Sequence, residues 1–231
     1  MEVSGNFYKL FREPITGLIT VTLYQLFFDN WSNALKRKIM ESDQEKLTSI
    51  CFLDDYLDYS DPTAFNMVYP DFVKLAVATK TENEDILQSL AYGYGILCKK
   101  VPKDKFRGIQ DKIMSFLIGI ADNQNIGGYT KDNAMGAIGK YLYYQANNTP
   151  DLTQIMNVFL NFLPLKEDLE ESKAVFKELY DQIKCNNPIL SEQFLPQIKE
   201  ALVRVRTLNE ENHFLEEYEV LLRELCTKFG I

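Results

Sequence analysis

FVKLAVATKTENEDILQSLAYGYGILCKK, residues 72–100, reads as the end of one helix, a tight turn and a second helix of similar length. Thr81 and Glu84 have capping-box spacing, in which each side chain would bond the other's orphan N–H. Beyond them Ile86, Leu90, Gly93, Leu97 and Cys98 recur on one helical face. Ala91, Gly93 and Gly95 keep that side thin, so a neighbouring helix can approach closely. Such a hairpin cannot bury its apolar face alone and requires similar units beside it.

Working outward, the same punctuation returns. Ser42 with Glu45 forms a capping box opening a helix through about Tyr59, and Asp61-Pro62 opens the next with Asp as N-cap and Pro in the first turn. That helix is expected to restart near Pro70 and to end around Lys80. Val101-Pro102 opens a helix through about Asp122, and Thr130 caps one through Ala146. Thr149-Pro150 opens a helix ending near Leu163, followed by another over 166–183. Asn187-Pro188 opens the penultimate helix, and Thr207 with Glu210 has the spacing of a third box before the last, which Gly230 ends. Upstream, 13–29 and 30–40 also read as helices, and 1–12 is uninformative.

The opening prolines 62, 102, 150 and 188 are spaced by 40, 48 and 38 residues. No segment alternates with the period of two that marks a half-buried strand. Helical pairs at this period indicate HEAT-type repeats. The fold expected is all-α, an α-solenoid or superhelix of about five repeats spanning 14–59, 61–100, 102–147, 149–184 and 187–229, with second helices lining the concave side.

Composition fits a soluble globular chain: 46% hydrophobic and 25% charged over 231 residues, with net charge −8. The charge is uneven, since residues 1–149 carry 18 acids and 16 bases, and the remainder 15 acids and 9 bases. That balance argues against non-specific nucleic-acid binding, which needs clustered Lys and Arg, and permits basic partners. Cys51, Cys98, Cys185 and Cys226 lie far apart without a CxxC, as reduced core thiols would. The longest uncharged run, 14–28, is shorter than the roughly 20 residues of a membrane span, so no membrane insertion is expected.

Four blocks carry a family resemblance: ICFLDDYLDYSDPTAF at 50–65, SLAYGYGILCKK at 89–100, DNAMGAIGKYLYY at 132–144 and FLPLKEDLEESKAVFKELYDQIKCNNPIL at 162–190. Together they resemble the C-terminal HEAT repeats of the karyopherin-β (importin-β) superfamily, most of all its karyopherin-β3 or importin-five branch. The resemblance covers the chain from about residue 45 to its end. It implies a piece of a nuclear transport receptor that shuttles between cytoplasm and nucleus. Such receptors hold protein cargo in the arch, contact Phe-Gly nucleoporins in the pore, and release cargo when the GTP form of Ran binds. The repeats that supply the family's main Ran site have no counterpart in these blocks.

On that reading the concave face would present Asp54, Asp55 and Asp58 to basic cargo, with Asp54 and Asp58 one turn apart. The same acids could instead fix inter-repeat geometry. Asn133 and Lys140 hold comparable positions, Asn133 either bonding at a helix start or clamping an extended peptide. The acids Glu167, Asp168, Glu170 and Glu171 suit the positive end of a helix dipole. Glu216, Glu217 and Glu219 read as a solvated face, and Trp31 and the tyrosines as packing residues or a patch for Phe-Gly motifs. The lone His213 has no nucleophile pattern beside it, and no HExxH, phosphate loop or metal-spaced cluster occurs. Neither catalysis nor a cofactor is expected. The alternative to transport is a HEAT scaffold that joins proteins outside any transport cycle.

Overall fold

A computed structural model describes residues 42–146 and 151–231. The expected helices within 13–40, Trp31 and the Thr149-Pro150 opening lie outside the described residues. Every regular element among the described residues is helical, as an α-solenoid of HEAT type requires. Contacts divide the chain into two units, one through Lys112 and one from Ile113.

In the first unit, α1 (Asp43–Tyr59), α2 (Pro62–Ala78) and α3 (Glu84–Lys100) pack together, followed by the short α4 (Lys103–Phe106). The Ser42–Glu45 capping box forms in full, and Asp61 caps α2 by accepting from Thr63 and Ala64 N–H at 2.8 and 3.0 Å. Ile50, Leu53 and Leu57 of α1, Phe65, Val68 and Phe72 of α2, and Ile86, Leu90 and Leu97 of α3 make the core. Phe72 meets Tyr94 edge-on, ring centroids 5.9 Å apart at 84°, a favoured aromatic geometry.

The second unit takes in α5 (Gln110–Asp122) from Ile113 onward, where its buried residues begin, with α6 (Gly128–Tyr144), α7 (Leu152–Phe162), α8 (Leu169–Lys184), α9 (Leu195–Asn212) and α10 (Glu219–Phe229). Second helices pack side by side (α6 on α8), as do first helices (α7 on α9); α9 on α10 closes the last pair, and α6 packs on α7, the first helix of the next pair. This alternation is the packing rule of a repeat stack, in which each unit buries its apolar face on its neighbours. Tyr143 and Phe159 meet edge-on at 5.8 Å between α6 and α7.

Several local expectations are corrected. Pro70 lies inside an unbroken α2, because the buried stripe Phe65, Val68, Phe72 and Val73 holds both halves against one core. The cap of α3 is Asn83, which accepts from Asp85 and Ile86 N–H at 3.1 and 3.3 Å, while Thr81 Oγ1 accepts from Asn83 N–H. The helix after Pro102 breaks at 107–109, where Gly108 is a poor helix former, and resumes as α5. Thr130 is buried within α6, which starts two residues earlier without a side-chain cap. Asn187-Pro188 makes a turn, and α9 opens instead at Leu195 with Pro196 in its first turn. Thr207 and Glu210 sit inside α9, whose end is set by His213 at φ 53°. Phe214 and Tyr218 therefore precede α10, while Gly230 at φ 65° ends α10 as expected. Cys98 and Cys226 are buried and Cys51 half-buried, but Cys185 is exposed beyond the last turn of α8, so it is not a core thiol.

Candidate functional site

The three α1 acids separate by depth. The carboxyl of Asp54 faces the seam with α3, and at 4% exposure it does not present itself to solvent. Gly93 makes this placement feasible, since a Cβ there would overlap Asp54 Oδ1 and the edge of the Phe72 ring. Oδ1 has no hydrogen-bond partner. Burial, then the nearby Asp55 and Asp58, push the Asp54 carboxyl well above the usual carboxylate range. Asp55 is half-buried beside it.

Asp58 sits at the seam's rim, its side chain 36% exposed. Tyr92 O–H donates to its Oδ2 at 3.5 Å, and Lys100 Nζ lies 3.8 Å from its Oδ1. Lys100 donates to Leu57 O at 2.8 Å and to Asp58 O, capping the end of α1 from α3. Cys51 and Ser89 share a contact at 3.4 Å in the same seam, and burial raises the Cys51 thiol.

Asn133 and Lys140 lie in the equivalent α6–α8 seam, where a denser network forms. Asn133 Nδ2 donates to Tyr129 O at 3.0 Å and to Asp168 Oδ2 at 2.9 Å. Asp168 Oδ1 accepts from Glu171 N–H at 3.0 Å, so one carboxylate caps α8 and receives Asn133. Lys140 Nζ pairs with Glu171 Oε1 at 2.9 Å, the side chains 13% and 7% exposed. Gly136 leaves room for Glu171, since a Cβ there would overlap its carboxylate.

Asp132, which the sequence reading did not single out, anchors this network. Its Oδ2 accepts from Glu167 N–H at 2.8 Å and Asp168 N–H at 2.9 Å. Burial raises its carboxyl, and those two N–H groups oppose the rise. The available signal was the separation of 35–36 residues, about one repeat, from the start of the following second helix.

Further along, Tyr144 O–H donates to Glu178, and Asn187 Nδ2 donates to Tyr143 O at 3.2 Å. Tyr180 O–H donates to Glu224 at 2.6 Å, and Lys184 pairs with the same carboxylate. Between first helices, Arg204 reaches from α9 to Leu160 O at 2.7 Å and Leu163 O at 2.8 Å, satisfying the C-terminal carbonyls of α7. Glu216, Glu217 and Glu219 are exposed, as is His213. Among the described residues no group of three His, Cys, Asp or Glu is placed to hold a metal, and no helix is long and apolar enough to cross a membrane.

The polar residues with repeat-like spacing therefore converge on two seams, Asp54 and Asp58 on one, Asn133 and Lys140 on the other. What these arrangements do chemically is join helix to helix. No protein-family model matches the chain, and no solved structure matches it. It is similar to the probable importin subunit beta-4 of Schizosaccharomyces pombe, 26% identical over 124 residues. The matched stretch is 52% of this chain and 11% of that relative.

Proposed function

We propose that this chain is a HEAT-repeat region of a nuclear transport receptor, of the karyopherin-β3 branch. Within its parent protein it would help hold basic protein cargo, with release governed by the GTP form of Ran and passage through the pore by Phe-Gly nucleoporins. The observation that carries the reading is the similarity over 124 residues to an importin subunit. The stacked helix pairs and the net charge of −8 support it, since an acidic surface attracts basic partners. Binding rather than turnover is the expected mode, in both compartments that such a receptor visits.

A scaffold without a transport cycle is the second reading. It is favoured by one observation: Asp54, Asn133 and Lys140 face neighbouring helices inside the seams. The immobilised chain, incubated with lysate at low and moderate salt, with and without GTP-loaded Ran, separates the two. Basic nuclear or ribosomal proteins that are retained, lost at higher salt and released by Ran would support the transport reading. Retention of non-basic partners insensitive to Ran would support the scaffold, and retention of nothing would sink cargo binding by this region.

A further inference from the structure

The α1–α3 and α6–α8 seams differ in how they treat their buried acids. In the α6–α8 seam Asp132, Asp168 and Glu171 each meet a donor: backbone N–H groups, the Asn133 amide or the Lys140 ammonium. In the α1–α3 seam Asp54 meets the bare backbone of Gly93 and the Phe72 ring, with no partner for Oδ1. A buried carboxylate without a counter-charge is costly, and burying the neutral acid is far less so. We propose that the α1–α3 seam is a charge-opened joint, in which Asp54 holds the helices together as the neutral acid and parts them when it ionises.

The surroundings of Asp54 favour this behaviour. On α1, Asp55 and Asp58 add like charge, and Cys51 is engaged with Ser89. On α3, Lys100 is directed to the carbonyls of Leu57 and Asp58, Tyr92 bonds Asp58, and Tyr94 packs on Phe72. On α2, Phe72 faces Asp54, while Asp71 pairs with Lys74, itself 77% exposed. Opening the seam would let water solvate the ionised group. Because the folded carboxyl is raised, its contribution to closure is full below the unfolded value of about 3.9 and lost as pH rises through the folded value.

Amide hydrogen exchange on the full chain from pH 5 to 9, expressed as protection factors corrected for intrinsic rates, tests the joint. Protection in peptides from 43–59 and 84–100 should fall with rising pH by up to about tenfold per unit, the limit for one proton. Peptides from α7 and α9 serve as the internal reference and should stay level. In Asp54→Asn, protection across α1 and α3 should be higher and level with pH. Should that variant fail to fold, Asp58→Asn keeps the test: removing a like charge should move the fall to lower pH. A level wild-type profile, the same fall in Asp54→Asn, or an unmoved fall in Asp58→Asn overturns the proposal.

Discussion

Lys140 and Glu171 form an ion pair at 2.9 Å between α6 and α8, with both side chains nearly excluded from solvent. Breaking such a pair is far more damaging than its net contribution suggests, because the survivor stays buried and charged. Lys140→Met should therefore lower stability by roughly 3–5 kcal/mol. The double variant Lys140→Met, Glu171→Leu should recover a large part of that loss. Urea unfolding followed by circular dichroism reads both, and a loss in the single variant of under about 1 kcal/mol would refute the burial argument.

At Gly93 α3 has no room for a side chain. A Cβ there meets both Asp54 and Phe72, whereas at Gly119, inside α5, it meets nothing within 4 Å. Gly93→Ala should destabilise by about 1–3 kcal/mol through overpacking. Gly119→Ala should instead stabilise by up to about 1 kcal/mol from helix propensity. The two melting temperatures should move in opposite directions.

At the start of α3 the cap is Asn83 rather than Thr81. Asn83→Ala should cost about 1 kcal/mol and raise exchange of the first-turn amides of α3. Thr81→Ala should do less, because its hydroxyl receives only the N–H of Asn83. Equal losses in the two would return the cap to Thr81.

Lys184 first, then Tyr180, holds the Glu224 carboxyl below its ordinary value. A lowered folded value means the favourable contribution is present above the unfolded value of about 4.3 and lost as pH falls through the folded one. In a carbon-detected NMR titration, Lys184→Met should shift the Glu224 midpoint upward, and Tyr180→Phe should shift it upward by less. The reverse ranking would assign the main role to the tyrosine.

The all-helical class and the opening of α2 were legible in the sequence because apolar spacing and Asp61-Pro62 punctuation are local signals. The exact starts were less so. Asn83 and Thr81 are both competent caps two residues apart, and only the packing of Ile86 and Leu90 fixes where the first turn begins. His213 was invisible for a similar reason: a non-glycine residue in the left-handed region is chosen by its surroundings, here Asn209 O and Oδ1 taking the N–H groups of His213 and Leu215. Asp54, Asp58, Asn133 and Lys140 were identified in the sequence, but their depth was not, and Asp132 was missed. Asp54 and Asp58 look alike one turn apart, and the neighbouring Gly93 is what allows Asp54 alone to sink.

Arg204 on α9 bonds carbonyls of α7 about 41–44 residues earlier, and the other inter-helix side-chain bonds named above close loops of similar size, between 31 and 44 residues. Loop-closure entropy depends only on the logarithm of length, so the seams face nearly equal entropic barriers to forming. Nothing in that arithmetic makes one seam wait for another. Among the described residues loop closure therefore singles out no seam as a nucleus: side-chain chemistry should set which forms first, and single substitutions such as those at Lys140 or Gly93 should reroute folding rather than block it.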